Sequence, residues 1–312
     1  MAVTEIAVKP KAVRQRPSKL LLKEYLWFYL FASPWLLGLL FFSLGPTIAS
    51  LVLSFTDYPV IVAPKWVGLA NYVHMVGDDL VWQALKVTLL YSLGAVPLGL
   101  TAAFLIAILM NQGIHGIRVF RTVYYLPAII SGVPVALVWM WVLNPDFGVV
   151  NSALRMIGIQ GPAWLFSREW VIPAFILMSL WGVGAAMVIF LAGLQGIPQH
   201  LYEAAEIDGA STIEKFFNVT VPMMSPVILF NLVLGVIASF QIFTPAYIMT
   251  NGGPANSSLF YGLYLYNNAF RWFKMGYASA LAWLMFLIIL IMTLLIFRVT
   301  GRFVYYESGA KN

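Results

Sequence analysis

The sequence contains no cysteine. Disulfide bonds, thiolate metal sites and cysteine nucleophiles are therefore excluded. Its three histidines, His74, His115 and His200, are scattered along the chain and do not have the spacing of a metal site. The sequence therefore predicts no metal and no other cofactor.

Charged residues are also scarce. They make up 10% of the 312 residues, whereas hydrophobic residues make up 61%. Soluble proteins average about 25% charged and about 45–50% apolar residues, so this composition indicates an integral membrane protein in contact with lipid. The formal net charge of +6 is better explained by the excess of Lys and Arg on the cytoplasmic side of membrane proteins than by nucleic-acid binding.

The sequence lacks a phosphate-binding loop of the pattern G-x-x-x-x-G-K-[ST]. ATP cannot be bound by that route, so any energy must come from elsewhere. No Ser/His/Asp set is recognisable either. We therefore predict a protein that is not itself an enzyme.

Six apolar runs each come near the roughly 20 residues that a bilayer requires. They lie at residues 27–53, 84–110, 120–143, 171–194, 222–249 and 278–297. We predict an all-α membrane protein with six transmembrane helices in one domain, residues 25–299, between a basic tail, residues 1–24, and a short C-terminal tail, residues 300–312. The first run exceeds the apolar core of a cleavable signal peptide, about 7–15 residues, and we expect it to stay in place as an anchor.

The distribution of basic residues predicts the orientation. An even number of spans places both termini on one side of the membrane, and that side carries twelve Lys and Arg residues against six on the other. Basic residues accumulate on the cytoplasmic side, so both termini are predicted there, together with the loop between the fourth and fifth spans. The basic N-terminal tail is expected near anionic lipid.

One polar stretch interrupts the apolar chain at residues 201–222, LYEAAEIDGASTIEKFFNVTVP. Its first part is rich in Leu, Ala and Glu, which favour a helix. Gly209 fits the position that follows a helix C-terminus, and Ser211 and Glu214 have the spacing of a capping box. We predict two short helices joined by a turn, the second running towards Pro222.

The stretch resembles the EAA loop of binding-protein-dependent ABC importer permeases. The resemblance is carried by Glu203-Ala204-Ala205, by Gly209 after three further residues, and by Val219-x-Val221-Pro222 after nine more. That family usually has Ile and Leu where this chain has Val219 and Val221, and both differences are conservative.

The resemblance implies a type I ABC importer permease fold in which residues 198–222 form a coupling loop that sits in a cleft of a cytoplasmic ATPase. The residues carried over to this role are Glu203, Ala204, Ala205, Asp208, Gly209 and Pro222. Glu203 is acidic and can pair with a basic residue of the ATPase, while the two alanines allow a close approach. The alternative is a solvated amphipathic loop between two spans.

Further segments resemble the carbohydrate subfamily of these permeases, the maltose and glycerol-phosphate type. They are residues 67–72, 251–254, 264–267 and 276–280, so the resemblance covers most of the chain in a short six-span form. It implies a subunit in a bacterial cytoplasmic membrane that translocates a sugar or related carbohydrate. The implied partners are a second, related permease subunit, an ATPase dimer and an external solute-binding protein. In the family, residues 144–170 would form a helical segment facing that binding protein, and an ordinary loop is an equal alternative.

An ion-coupled secondary transporter of a neutral solute is the main alternative function. Proton-coupled carriers normally keep an acid or a histidine inside a span as the titrating group. Here the charged residues fall in loops or at span ends. A Na⁺-coupled carrier that uses carbonyl and hydroxyl groups stays open, as does a membrane scaffold that transports nothing.

Neutral polar and aromatic residues of the fifth span are candidates for a substrate path. They are Asn231, Ser239, Gln241, Phe243 and Tyr247. Sugars need hydrogen-bond partners for their hydroxyl groups and offer C–H faces to aromatic rings, so an uncharged path suits them. The alternative for Asn231 and Ser239 is that they hold helices together. Gln241 is predicted to face the interior, because an unpaired amide in mid-span is costly.

Overall fold

The computed structural model describes residues 19–130 and 132–301, and most of the two predicted tails lies outside these residues. The described part is predominantly helical. Its α-helices, numbered α1 to α14 in chain order, are Lys19–Gly38, Gly45–Ser54, Ala70–Val76, Asp79–Met110, Ile117–Ile129, Gly132–Val142, Val149–Met156, Val171–Trp181, Gly184–Gln195, Gln199–Ile207, Thr212–Lys215, Val221–Phe240, Tyr261–Tyr266 and Met275–Thr300. Two short antiparallel strands, β1 (Thr56–Asp57) and β2 (Lys65–Trp66), form a hairpin between α2 and α3.

The described residues divide into two compact units, with the boundary between Val52 and Leu53. In the first unit, α1 continues through a π-helical segment, Leu39–Leu44, into α2. The π-helical segment lies between Gly38 and Gly45. The local change from α- to π-type hydrogen bonding widens the helix at this point.

Four helical runs in the described residues are long and apolar enough to cross a membrane: residues 20–54, α4, the run Thr212–Phe240 and α14. Two bent pairs pass the same test when each is taken as one span. These are α5 with α6, bent by 101°, and α8 with α9, bent by 49°. When each bent pair is counted as one span, the number of spans is the predicted six. The prediction of an all-α membrane protein is confirmed.

The core of the second unit forms where α4 packs against α8, α9 and α12. Large side chains such as Phe175, Phe190 and Tyr261 are fully buried there. Close approach of two backbones depends on Gly184 at the start of α9, because a Cβ at this position would lie 2.3 Å from the carbonyl oxygen of Tyr124 in α5. Gly184 therefore allows α9 to pack closely against α5. Helices α4, α8, α9 and α12 enclose the central part of the bundle.

The carboxylate of Asp78 links α4, α13 and α14 by hydrogen bonds near the beginning of α4 and α14. Asp78 caps α4, accepting a hydrogen bond from the backbone N–H of Leu80 at 3.0 Å. It also accepts hydrogen bonds from the hydroxyl groups of Tyr264 and Tyr277, the latter at 2.7 Å. Burial by itself would raise the pKa of Asp78, but these hydrogen bonds outweigh burial and hold the pKa below its usual value. The charged carboxylate therefore stabilises the junction of α4, α13 and α14.

The segment between α6 and α8 is an ordered helical unit rather than an open loop. It contains α7 and a 3₁₀ turn, Trp164–Phe166. Asn151 of α7 is buried, and its side-chain amide donates to the carbonyl oxygens of Pro145 and Pro162, each at 3.1 Å. Its side-chain oxygen accepts from the indole N–H of Trp164 at 2.7 Å. The predicted helical segment is therefore present, and its proximity to a binding protein stays a prediction.

The fifth span is shorter than predicted. The sequence suggests a helix to about residue 249, whereas α12 ends at Phe240 and a turn follows at Gln241. Pro245 has no N–H to donate to the carbonyl of Gln241, four residues earlier, and its ring would clash with that carbonyl in a continuous α-helix, so it favours the break at this point. A separate π-helical segment, Ala246–Thr250, resumes after it.

Candidate coupling elbow and substrate cavity

The polar stretch folds into a compact unit, residues 198–222, which we call the elbow. Its first helix, α10, ends in a Schellman motif, in which the N–H of Ala210 donates to the carbonyl of Ala205 and the N–H of Gly209 to that of Glu206. Gly209 has φ +79°, and a Cβ there would meet nothing within 4 Å. The glycine is therefore required by its left-handed conformation and not by lack of space.

The second helix of the elbow, α11, begins with the predicted capping box. The N–H of Glu214 donates to the hydroxyl oxygen of Ser211 at 3.3 Å, and the N–H of Ser211 donates to the carboxylate of Glu214 at 2.7 Å. This backbone hydrogen bond lowers the pKa of Glu214. An ion pair of 2.6 Å between Glu206 and Lys215 joins α10 to α11. The elbow is thus closed by its own turn and cap.

The two predicted helices and the turn between them are present, and the second helix runs towards Pro222 and continues beyond it. Helix α11 passes without a break through a π-helical segment, Phe216–Thr220, into α12, giving one run of 29 residues. Pro222 lies inside this run, directly after the π-helical segment, and has no N–H to donate to the helix. The elbow is therefore the continuous end of a membrane span.

One face of the elbow carries acidic and apolar side chains that are exposed. Glu203, Ala204 and Asp208 are exposed, whereas Ala205 is half-buried. Ile207 is 87% exposed and lies four residues after Glu203, so the two share one side of α10. Among the described residues, Glu203 has no ion-pair partner. Exposed aliphatic side chains beside an unpaired acid suit contact with another protein.

A cavity of about 510 Å³ lies between α4, the α8–α9 pair and α12. We call it the central cavity. Its polar side chains are those of Tyr91, Ser179, Asn231 and Ser239, and no charged residue lines it. Much of its remaining wall consists of small residues, namely Ala95, Gly99, Gly182, Ala185, Ala186, Gly235 and Ala238. Such a wall leaves room for a neutral solute that makes hydrogen bonds.

Two of the sequence-predicted path residues line this cavity together. Ser239 lies 2.8 Å from the hydroxyl oxygen of Ser92 in α4, so it also joins two helices. Asn231 donates its amide to the carbonyl of Val227 within α12 at 2.9 Å. The alternative that these residues hold helices together therefore has structural support for Ser239, whereas the hydrogen bond of Asn231 stays within one helix. Sequence reasoning missed Tyr91 and Ser179, because polar residues in apolar spans carry no local signal of which cavity they meet.

The other three predicted path residues lie apart from the central cavity. Gln241 is exposed at the C-terminus of α12 and is not among the residues that line the cavity. Phe243 and Tyr247 stack with ring centroids 5.5 Å apart, and both contact Tyr266, which sequence reasoning did not single out. The assignment of these three residues to the path stays a prediction.

The spans, the elbow and the central cavity together define a membrane-spanning permease. The family model described as "Binding-protein-dependent transport system inner membrane component" matches residues 95–305. The chain belongs to this family, and it is a transport permease component, not an enzyme. The prediction of an ABC importer permease is confirmed, and the assignment decides against the ion-coupled alternative.

Curated relatives and solved structures agree with this assignment. The chain is 45% identical over 298 residues to "Probable ABC transporter permease protein YesP" of Bacillus subtilis, covering 94% of this chain and 96% of the relative. It is 35% identical to "Lactose transport system permease protein LacF" of Rhizobium radiobacter, covering 86% and 92%. A bacterial ABC transporter involved in the import of alginate has the same fold, with a TM-score of 0.80 at 24% identity over 91% of this chain and 98% of that one.

Proposed function

We propose that this chain is one of two permease subunits, in a heterodimer, of an ATP-driven importer of carbohydrate in a bacterial cytoplasmic membrane. Two ATPase subunits dock on the elbows, and an external binding protein delivers the sugar. One observation carries the proposal: the run Thr212–Phe240 begins in the elbow and ends beside the central cavity, with Asn231 and Ser239 on its wall. A single helix thereby links the ATPase contact to the substrate contact.

The chemistry of the cavity supports a carbohydrate. Hydroxyl and amide groups of Tyr91, Ser179, Asn231 and Ser239 can exchange hydrogen bonds with sugar hydroxyls, and no lining charge demands an ion. The names of relatives point the same way, since one transports lactose and another, AraP of Bacillus subtilis at 30% identity, arabinooligosaccharides. The ATPase moves the elbow, and the bundle alternates between inward- and outward-facing states.

The direct test is ATP-dependent uptake by the complex reconstituted in lipid vesicles. Candidate solute-binding proteins from the same organism are first screened against a panel of mono- and oligosaccharides by thermal shift. The sugar that stabilises it is then offered to the vesicles. We expect uptake that requires ATP and the binding protein. Uptake that instead follows an imposed Na⁺ or proton gradient would contradict the proposal.

Reversing the charge of Glu203 should uncouple the ATPase. Glu203 is exposed and unpaired among the described residues, so Glu203→Lys leaves the chain folded. The new lysine would face basic residues in the ATPase cleft, at a cost of a few kcal/mol in docking. We expect at least a tenfold fall in ATP-driven uptake, because every 1.4 kcal/mol is a factor of about ten.

The control for this experiment is Glu24→Lys, which reverses an exposed charge on α1, outside the elbow. Uptake and co-purification of the ATPase are measured for both variants. Normal uptake by Glu203→Lys, or equal losses in the two variants, would remove Glu203 from the coupling role.

The orientation predicts which engineered cysteines react from outside the cell. The chain has no cysteine of its own, so labelling has no background. Thr212 in the elbow and Arg168 between α7 and α8 are both exposed. A membrane-impermeant maleimide added to intact spheroplasts should label Arg168→Cys and should label Thr212→Cys only after lysis. The reverse pattern would place the elbow on the wrong side for an ATPase.

A further inference from the structure

Helix α10 carries the predicted ATPase contact. Its side chains make few hydrogen bonds or ion pairs to the rest of the chain. Within residues 19–130 and 132–301, two of its side chains make hydrogen bonds or ion pairs outside the helix. Glu206 pairs with Lys215, and the hydroxyl of Tyr202 lies 3.0 Å from that of Thr220. The two contacts join α10 to different positions of the run Thr212–Phe240.

The pair between Glu206 and Lys215 lies inside the elbow. It connects α10 to Lys215, near the start of the continuous run Thr212–Phe240. The Glu206 side chain is 62% exposed, so solvent weakens the pair. This contact therefore fastens α10 only weakly to the span.

The contact between Tyr202 and Thr220 reaches the base of the span. Thr220 is only 7% exposed and immediately precedes Val221, the first residue of α12. Beside the contact lies a cavity of about 260 Å³, bordered by Tyr202, Thr220 and the end of α4 at Ile108. The hydroxyl group of Tyr202 therefore reaches Thr220 beside a partly empty space between α10 and the end of α4.

We propose that Tyr202 and Thr220 form a latch that transmits movement of α10 to α12. The inference rests on the proposed function, since it assumes that an ATPase moves the elbow. Besides the latch, α10 is attached by its chain connections, to α9 on one side and at the Gly209 turn on the other, and by the solvent-weakened pair between Glu206 and Lys215. Without the hydroxyl pair, α10 can tilt about these connections while α12 stays in place. With it, displacement of α10 pulls on Thr220 and hence on Asn231 and Ser239 at the central cavity.

Two substitutions remove one hydroxyl each and keep the shape of the side chain, Tyr202→Phe and Thr220→Val. Thr122→Val is the matched control, because among the described residues the hydroxyl of Thr122 bonds within α5, to the carbonyl of Arg118 at 3.0 Å. The measurement is the number of sugar molecules imported per ATP hydrolysed by the complete reconstituted complex. ATPase co-purification is followed in parallel.

We expect each single variant to import about fivefold less sugar per ATP, the factor that corresponds to one ordinary hydrogen bond. The ATPase should co-purify normally, and ATP hydrolysis should continue. The double variant should resemble either single one, because both substitutions break the same contact. Thr122→Val should match the wild type.

Three results would overturn the latch. One is an unchanged ratio of import to hydrolysis in both single variants. Another is a double variant whose loss is the product of the single losses, since independent residues behave in that way. The third is loss of the ATPase from Tyr202→Phe, which would make Tyr202 a docking residue. A wild-type complex that hydrolyses ATP but imports no sugar would instead contradict the proposed function itself.

Discussion

Replacement of Gly184 by alanine should sharply lower the amount of folded protein. The added Cβ would lie 2.3 Å from the carbonyl oxygen of Tyr124 and 2.9 Å from the Cα of Tyr125, and both are backbone atoms that cannot rotate away. Helices α5 and α9 must then separate. Overpacking of this kind costs about 1–3 kcal/mol, and we expect the upper end because no flexible side chain can absorb the clash.

Gly113→Ala is the control for Gly184→Ala. A Cβ at Gly113 would meet nothing within 4 Å, so this variant should behave like the wild type. The measurement is the yield and thermal midpoint of detergent-purified protein, followed by size-exclusion chromatography. A Gly184→Ala protein with wild-type yield and midpoint would contradict the close approach of α5 and α9.

Filling the central cavity should abolish import. Ala238 lines the cavity on α12 and is exposed on its open side, so an indole at this position can be accommodated without displacing the core. In Ala238→Trp the ring would occupy the space between α12 and the α8–α9 pair and block the sugar. We expect import by the reconstituted complex to fall to background while basal ATP hydrolysis and assembly persist.

The matched control is Ala192→Trp, which places the same ring on an exposed position of α9 that does not line the cavity. Import should continue in this variant. Normal import by Ala238→Trp would exclude the central cavity from the path. Loss of the second permease subunit from Ala238→Trp would assign this face of α12 to subunit packing.

The elements that the sequence predicted correctly depend on interactions within a few residues. Gly209 and the Ser211–Glu214 pair specify the turn and the cap of the elbow, because these motifs close between backbone groups three to five positions apart. Span positions follow from hydropathy over about 20 residues. The recognisable EAA pattern is likewise contained in one short stretch, and the family assignment confirmed the class of protein inferred from it.

Tertiary packing alone determines where the central cavity lies and which residues make the contact between Tyr202 and Thr220. Ser92 and Ser239 meet across 147 residues of sequence, and Tyr202 meets Thr220 across 18 residues and a turn. Hydropathy fixes which residues enter the membrane, but the rotation of each helix about its axis depends on how side chains interlock with neighbouring helices. For this reason the sequence favoured Gln241, which lies beyond the end of α12, whereas the packed bundle placed Tyr91 and Ser179 beside Asn231 and Ser239.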